Sequence, residues 1–330
     1  VGAEFDFIAR VRARAAAGAG GAVLGIGDDC ALWRPGPGME QVVTTDLLLE
    51  GVHFDMAWGP LEDLLEDLGA KALAVNLSDI AAMGAAPRLV TLGLGLPGPP
   101  EAYWPLAEGF LQAAEAARVA VVGGDTCATR GGLVIAVTAV GEVPAGRAVT
   151  RAGARPGDDV YVTGTVGDAA AGLALVKGAR PDLDAAARAA LADRLLRPQA
   201  RVAEGLTVRE AGAASAMIDV SDGLAADLGH ILEASGVGAV LDADALPLSD
   251  AFAAYCTATA TDPAALALGG GEDYELVFTV PPGGRAAIER LLAGGLAARR
   301  VGRIVAGSGL ALQREGTARP VPTRGYEHFG

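Results

Sequence analysis

The sequence predicts an α/β layered fold, α+β in its local order, arranged as two domains of similar size. Three observations carry that reading. Short β-branched runs alternate with longer segments of helical period through the first half. A polar, turn-rich stretch at 150–159, TRAGARPGDD, interrupts this order, and a strand, a glycine turn and a helix then follow. A length of 330 residues suits about two domains. The expected division is 1–147 and 148–330.

The elements follow in order. Ala22–Ile26 is an apolar strand, and Gln41–Asp46 is a short β-branched strand ending in an aspartate. Leu61–Met83 carries Leu, Ala, Val and Ile at helical spacing and is closed by Gly84 and Pro87. Arg88–Leu96 alternates as a strand, Glu101–Arg118 is an amphipathic helix, and Val119–Val122 and Leu133–Val143 are strands. This β–α–β–α–β progression implies a layered first domain. Asp159–Thr163, Ala214–Val220, Val237–Leu241 and Glu275–Val280 are the strands of the second half. Asp168–Lys177, Asp182–Leu195, Leu224–Ala234 and Gly284–Leu292 are its helices. No internal repeat is evident.

Composition narrows the function. The chain is 51% hydrophobic but only 5% aromatic, so its core has to be built from Ala, Val and Leu. A net charge of −14 excludes the clustered basic surface that nucleic acids require. The same charge repels a triphosphate unless metal ions or backbone dipoles reverse the field locally. Cys30, Cys127 and Cys256 form no CxxC spacing and are expected to be small buried hydrophobes in a reducing compartment. Residues 5–14 mix acidic, basic and apolar types, with no signal pattern, and no run of 18 uncharged apolar residues occurs. The expected location is cytoplasmic, away from membranes.

Five acidic motifs beside glycine or apolar runs carry the chemistry: GIGDD (25–29), TTD (44–46), NLSD (76–79), GGDT (123–126) and DVSDG (219–223). A carboxylate beside a buried run is costly unless a cation meets it. Few of these aspartates have a Lys or Arg neighbour in sequence, which points to a metal. Hard oxygens supplied singly from several loops suit Mg²⁺, which shares its shell with water and phosphate oxygens. Each motif has a plainer reading. GDD also fits a hairpin turn, and Asp46, taken alone, is an ordinary strand-exit aspartate. Asp79 sits in an otherwise apolar helix on the same face as Asn76, where burial and propensity disfavour it and favour a functional role. GGDT follows a strand end, where ligands gather in α/β proteins. DVSDG sets two carboxylates around a hydroxyl at a helix start that attracts anions, or else Ser221 or Asp222 is a simple N-cap. The run GGGEDYE (269–275) reads as a substrate- or nucleotide-contacting loop rather than a flexible linker.

Other chemistries are excluded. Gly93–Gly98 satisfies GxGxxG formally, but Leu92, Leu94 and Leu96 alternate as one face of a strand, and three prolines follow. There is no GxxxxGK[ST] phosphate loop and no GxSxG elbow, and the three histidines are far apart in sequence.

Ten ordered blocks together resemble the thiamine-monophosphate kinases, in the superfamily of aminoimidazole-ribonucleotide and selenophosphate synthetases. They are GIGDDCAL (25–32), TTDLLLEGVHF (44–54), KALAVNLSDIAAMGA (71–85), GGDT (123–126), GRAVTRAGARPGD (146–158), VYVTGTVGDAAAGLAL (160–175), RPQARV (197–202), IDVSDGLAADLGHI (218–231), GGGEDYELVFTV (269–280) and GYEHF (325–329). The resemblance implies a two-domain synthetase-like fold and a homodimer whose N-terminal sheets pair into a barrel-like core. It implies Asp29, Thr44, Thr45, Asp46, Asp79, Asp125, Asp219 and Asp222 as metal ligands, with Asp46, Asp125 and Asp222 at the centre of catalysis. Asp29, Gly124, Asp125, Arg151 and Ser221 are the implied nucleotide contacts, and His53, Glu272 and Tyr326 the implied contacts to the thiamine phosphate. On this resemblance the N-terminal domain binds ATP and Mg²⁺ and dimerises, while the C-terminal α/β domain completes the nucleotide and substrate site. The implied reaction is direct, ATP-dependent phosphorylation of thiamine monophosphate to the diphosphate, with several Mg²⁺ ions. Two rivals stand beside it: a superfamily synthetase that activates an amide-type oxygen, and a nucleotide-binding protein without turnover.

Overall fold

The structure, a computed structural model, describes residues 3–15, 22–26, 30–323 and 325. Contacts divide the chain into two units, one of Val1–Ile80 with Ala85–Gly146, the other of Ala81–Gly84 with Arg147–Gly330.

The first unit contains α1 (Ala3–Ala15), β1 (Ala22–Leu24), β2 (Leu32–Trp33), β3 (Met39–Leu49), α2 (Leu61–Ala82), β4 (Ala86–Leu96), α3 (Trp104–Ala116), β5 (Ala120–Ala128) and β6 (Val134–Pro144). Four strands form a sheet in the order β3-β6-β4-β5. Its pairs are antiparallel except β4 with β5, which run parallel. Ile135, Val137 and Ala139 are buried on one face of β6, as period-2 alternation requires. Arg10 stacks its guanidinium over Trp104, 3.4 Å from the ring centroid, and Phe7 meets the same ring edge-on, which docks α1 on α3.

Two strands depart from their sequence reading. Gln41–Asp46 was expected to end at its aspartate, but β3 continues to Leu49 and pairs with β6 throughout, so Thr44, Thr45 and Asp46 lie mid-strand. Aspartate is poor in strands; here β3 is an edge, and Asn76 Oδ1 accepts the Asp46 N–H at 3.2 Å. GGDT was expected to follow a strand, yet it lies inside β5. A register shift beside Gly123 marks a bulge, and a Cβ on Gly124 would meet the Leu92 carbonyl oxygen at 2.0 Å. Those glycines serve close strand approach rather than a loop.

The second unit contains β7 (Asp159–Thr163), α4 (Asp168–Val176), α5 (Ala185–Leu196), α6 (Val202–Glu210), β8 (Ala216–Val220), α7 (Leu224–Ser235), β9 (Gly238–Asp242), α8 (Asp250–Thr259), α9 (Pro263–Gly269), β10 (Glu275–Val280), α10 (Arg285–Ala293), β11 (Ala298–Val305), β12 (Gly309–Arg314) and β13 (Thr317–Val321). Its seven-stranded sheet runs β13-β12-β9-β11-β7-β10-β8, antiparallel but for β12 beside β9. Val160, Val162, Ile218 and Val277 face a core with Leu175, Leu191 and Leu228. Tyr161, Met217, Leu276 and Phe278 face a second core with Val208 and Ile288. Helices therefore cover both faces, which is why β7, β8 and β10 read as continuous apolar runs.

One ionic cluster pins this unit. Glu275 is fully buried and accepts from Arg194 Nη2 at 2.7 Å, from Arg201 Nε and Nη2 at 2.6 Å each, and from Thr163 Oγ1 at 2.7 Å. Removing one partner from a buried ion pair leaves the others uncompensated. Glu275→Ala should therefore lower unfolding free energy by about 3–5 kcal/mol in denaturant titration. A loss under about 1 kcal/mol would show that the cluster is dispensable.

Candidate active site

In the first unit the site grows from the meeting of β3 and α2. Thr44 and Asp46, two apart on a strand, share the face that meets Asn76 and Asp79, three apart on the helix. The Thr44 hydroxyl donates a short hydrogen bond to Asp79 Oδ2. Asn76 is fully buried; its Nδ2 donates to the Ala72 carbonyl at 3.0 Å while its Oδ1 holds the Asp46 amide. Burial, and then the charge of Asp79, push the Asp46 carboxyl up to about 6. These two carboxylates are held close enough to repel.

The other first-unit candidates stand elsewhere. Thr45 points to the opposite sheet face, where its hydroxyl lies 2.9 Å from that of Thr138, so a role as side-chain ligand beside Thr44 and Asp46 is not supported. Asp125 is exposed, and its Oδ1 accepts from the Thr126 amide at 2.9 Å. The register aligns Asp46, Val137, Leu92 and Gly124 across the sheet and places Asp125 level with Gly93, on the Thr45 face. Asp46 and Asp125 thus occupy opposite faces and opposite edges, about 14 Å apart across three strand spacings. His53 follows a turn at Gly51, and its Nδ1 accepts the Leu49 amide at 3.0 Å. That bond leaves Nε2 as the protonated nitrogen.

In the second unit the charges of Asp219 and Asp222, from the DVSDG motif, both act on Asp227. Gly223 caps α7 without side-chain help, so neither Ser221 nor Asp222 is the simple N-cap. Asp227, from the first turn of α7, reaches back instead and accepts the Ser221 and Asp222 amides at 3.0 Å each. Asp219 and Asp227 are buried, while Asp222 is exposed. Burial, then the charge of Asp219, push the Asp227 carboxyl up to about 8. The sequence reading missed Asp227; its signal was an acid four residues beyond Gly223, at the spacing where one helical turn returns to the motif.

The glycine loop lies against this turn. A Cβ on Gly271 would meet the Ser221 carbonyl oxygen at 2.5 Å, so glycine permits the approach. Glu272 donates its amide to Ser221 O at 2.7 Å, and Tyr274 donates its own to Val220 O at 2.8 Å. Both residues are left-handed, at φ +71° and +51°, a strain on the order of 1 kcal/mol each that such bonds must hold. Gly325 also abuts Asp222, since a Cβ there would meet the Asp222 Cβ at 2.9 Å. The backbone at Arg151 lies by the other end of β8. The residue is exposed and follows Thr150, whose carbonyl accepts from Met217 near the start of β8, whereas Ser221 follows that strand's end, about 13 Å along. Asp29 and Tyr326 lie outside the described residues. Cys256 is buried as expected, but Cys30 and Cys127 are exposed, Cys127 because the second half of β5 faces outward.

The donors suit a hard cation. Carboxylates of Asp46 and Asp79 with the Thr44 hydroxyl, and those of Asp219 and Asp222, offer oxygen only, the preference of Mg²⁺. Among the described residues no three His, Cys, Asp or Glu side chains gather to cage an ion by themselves. A carboxylate pair matches an ion that completes its shell with water and phosphate oxygens.

Family models agree with this layout: "AIR synthase related protein, N-terminal domain" matches residues 27–143, and its C-terminal counterpart matches 155–315. The thiamine-monophosphate kinase of Escherichia coli (strain K12) is 42% identical over 329 residues, 99% of this chain and 98% of the relative. That of Salmonella typhimurium is 43% identical over 334 residues, with the same coverage. The chain belongs to the thiamine-monophosphate kinase family. Among solved structures, the family member from Stenotrophomonas maltophilia K279a superposes with TM-score 0.81 at 43% identity, covering 94% of this chain and 96% of that one. AaThiL, complexed with AMPPCP and TMP, superposes with TM-score 0.78 at 34% identity, covering 90% and 89%. Hydrogenase maturation proteins at about 22% identity share the fold alone.

A pH test follows from the loop. Burial pushes the fully buried Asp273 carboxyl from its ordinary 3.8 up to about 8, against the lowering effect of the Gly167 and Ala169 amides. Between these values the folded chain holds a proton that the unfolded chain has released. The stability this contributes is complete below the unfolded value and is lost as pH rises through about 8. Asp273→Asn cannot ionise, so its melting temperature should fall less than that of wild type between about pH 5 and about pH 8.5. Parallel curves for the two proteins would refute a raised Asp273.

Proposed function

We propose that this chain transfers the terminal phosphoryl group of ATP directly to thiamine monophosphate, giving thiamine diphosphate and ADP. The observation that carries this reading is the full acidic motif set in a chain 42% identical, end to end, to a thiamine-monophosphate kinase. A neighbour of the same fold complexed with AMPPCP and TMP supports the substrate pair. Residues 1–147 are assigned nucleotide and metal binding together with dimerisation, and residues 148–330 further nucleotide and acceptor groups.

The chemistry asks little of a base. An acceptor phosphate oxygen is already ionised near neutral pH, and the obstacle is bringing two polyanions together. When bound, Mg²⁺ would offset that repulsion and stabilise charge on the transferred group. Several such ions are assigned, to Asp46, Asp79 and Thr44 in the first unit and, separately, to Asp219 and Asp222 in the second, and Asp29 and Asp125 are added on the family resemblance. Ser221, Gly124 and Arg151 are assigned to the nucleotide. His53, with Nε2–H fixed as a donor, suits an acceptor phosphate oxygen, and Glu272 and Tyr326 are assigned to orient that acceptor.

A homodimer fits the same geometry. Val43 and Leu47 expose 64% and 51% of their surfaces on the outward face of β3, as a sheet covered by a second copy would. No helix among the described residues is long and apolar enough to cross a membrane; a cytoplasmic location is proposed on the family reading. The synthetase and the non-catalytic alternatives are less favoured, because the relatives matched end to end are kinases and every acidic motif is intact.

Pure protein with ATP, Mg²⁺ and thiamine monophosphate should release ADP only when acceptor is present, with thiamine diphosphate on chromatography. Turnover of an aminoimidazole precursor instead, or nucleotide binding without ADP release, would sink the kinase reading. Asp222→Asn should keep its fold and lose about two orders of magnitude or more in kcat, since a charge-stabilising interaction worth several kcal/mol is removed. Near-normal turnover of that variant at limiting Mg²⁺ would remove Asp222 from the ligand set.

A further inference from the structure

The loop through Asp273 is fastened on two sides. On one side the Glu272 and Tyr274 amides bind the Ser221 and Val220 carbonyls, and the Tyr274 hydroxyl donates to Glu272 Oε1 at 3.3 Å. On the other side the Asp273 side chain is buried and accepts the Gly167 amide at 2.7 Å and the Ala169 amide at 3.3 Å, where α4 begins. That helix start is itself held. Asp168 accepts from the hydroxyls of Thr165 and Ser249 and lies 3.9 Å from Arg194 Nε. Arg194 in turn binds Glu275 and reaches the Asp273 carbonyl at 3.4 Å.

We propose that Asp273 is a positioning residue for the acceptor: its carboxyl ties the glycine loop to the first turn of α4 and so fixes the direction in which Glu272 leaves the chain. The inference rests on the kinase reading, in which Glu272 meets thiamine monophosphate. The reason is geometric. Glu272 and Tyr274 are both left-handed, so any rotation about Asp273 swings both neighbours, and the carboxyl anchor opposes it from the α4 side as the two amide bonds do from the β8 side. Ser221 and Asp222 are held separately, through Asp227. Loss of the Asp273 anchor therefore disturbs Glu272 while leaving the Ser221 turn in place. A merely structural residue would degrade both substrates alike.

The test uses the full chain as wild type, Asp273→Ala and Asp273→Asn, with thermal melting to verify folding and with ATP and thiamine monophosphate varied in turn. The acceptor KM should rise about tenfold in Asp273→Ala and by less in Asp273→Asn, which keeps one acceptor atom, while the ATP KM stays within about twofold. Adding Glu272→Ala to Asp273→Ala should raise the acceptor KM little further, because the two act through one contact. Wild-type turnover with an unchanged acceptor KM in the folded variants, or with both KM values rising together, overturns the positioning role. If Asp273→Ala does not fold, Asp273→Asn decides by the same split. Absence of acceptor-dependent ADP release in wild type refutes the kinase reading instead.

Discussion

Crowding of carboxylates in partly desolvated ground is the constraint on which both units turn. Asp46 stands against Asp79 in the first unit, and Asp227 against Asp219 in the second, each with its carboxyl pushed upward by burial and by a like charge. Such arrangements oppose folding unless hydrogen bonds hold them or a cation relieves them. The protein uses hydrogen bonds first: the Thr44 hydroxyl on Asp79 and two backbone amides on Asp227. In this protein the acidic motifs are a liability to the fold and the substance of the site.

The second unit meets the same problem with arginine. Glu275 is as buried as any carboxylate in the chain, yet it sits between two guanidiniums. The contrast separates two kinds of buried acid. Glu275 and Asp159 face arginines and serve the framework, with Arg285 and Arg300 closing on Asp159 at 2.6 Å each. Asp46 and Asp227 instead stand against another carboxylate, Asp79 and Asp219 in turn. Framework acids thus sit with cations the chain supplies itself.

Much of this was legible beforehand. The strands at Asp159–Thr163 and Glu275–Val280 and the long helix near Leu61–Ala82 were readable because apolar period and flanking turn residues agree there. The false dinucleotide motif was rejected correctly: Gly93 and Gly95 lie in β4, with Leu92, Leu94 and Leu96 buried. Boundaries at Asp46 and Gly123 failed because aspartate and glycine, which usually end strands, sit here on edge strands, where a side chain or a bulge replaces ladder pairing. Short helices such as α6, α8 and α9 carried too little periodicity among abundant alanines to be read. Asp227 and Asp273 were missed for another reason. Each acts on amides rather than on a partner side chain: Asp227 only five to six residues away, at a helical-turn spacing that is a weak signal, and Asp273 104 to 106 residues away, which no local pattern encodes.

Whether these aspartates hold divalent cations against phosphate can be measured without turnover. Mn²⁺ can replace Mg²⁺ as a paramagnetic reporter, with free ion followed by electron paramagnetic resonance in the presence of a non-hydrolysable ATP analogue. Wild type should take up the ion in a nucleotide-dependent way, and Asp46→Asn and Asp222→Asn should each weaken that uptake by about tenfold or more. Uptake unchanged when both substitutions are combined would contradict the assignment of the acidic motifs to metal and phosphate.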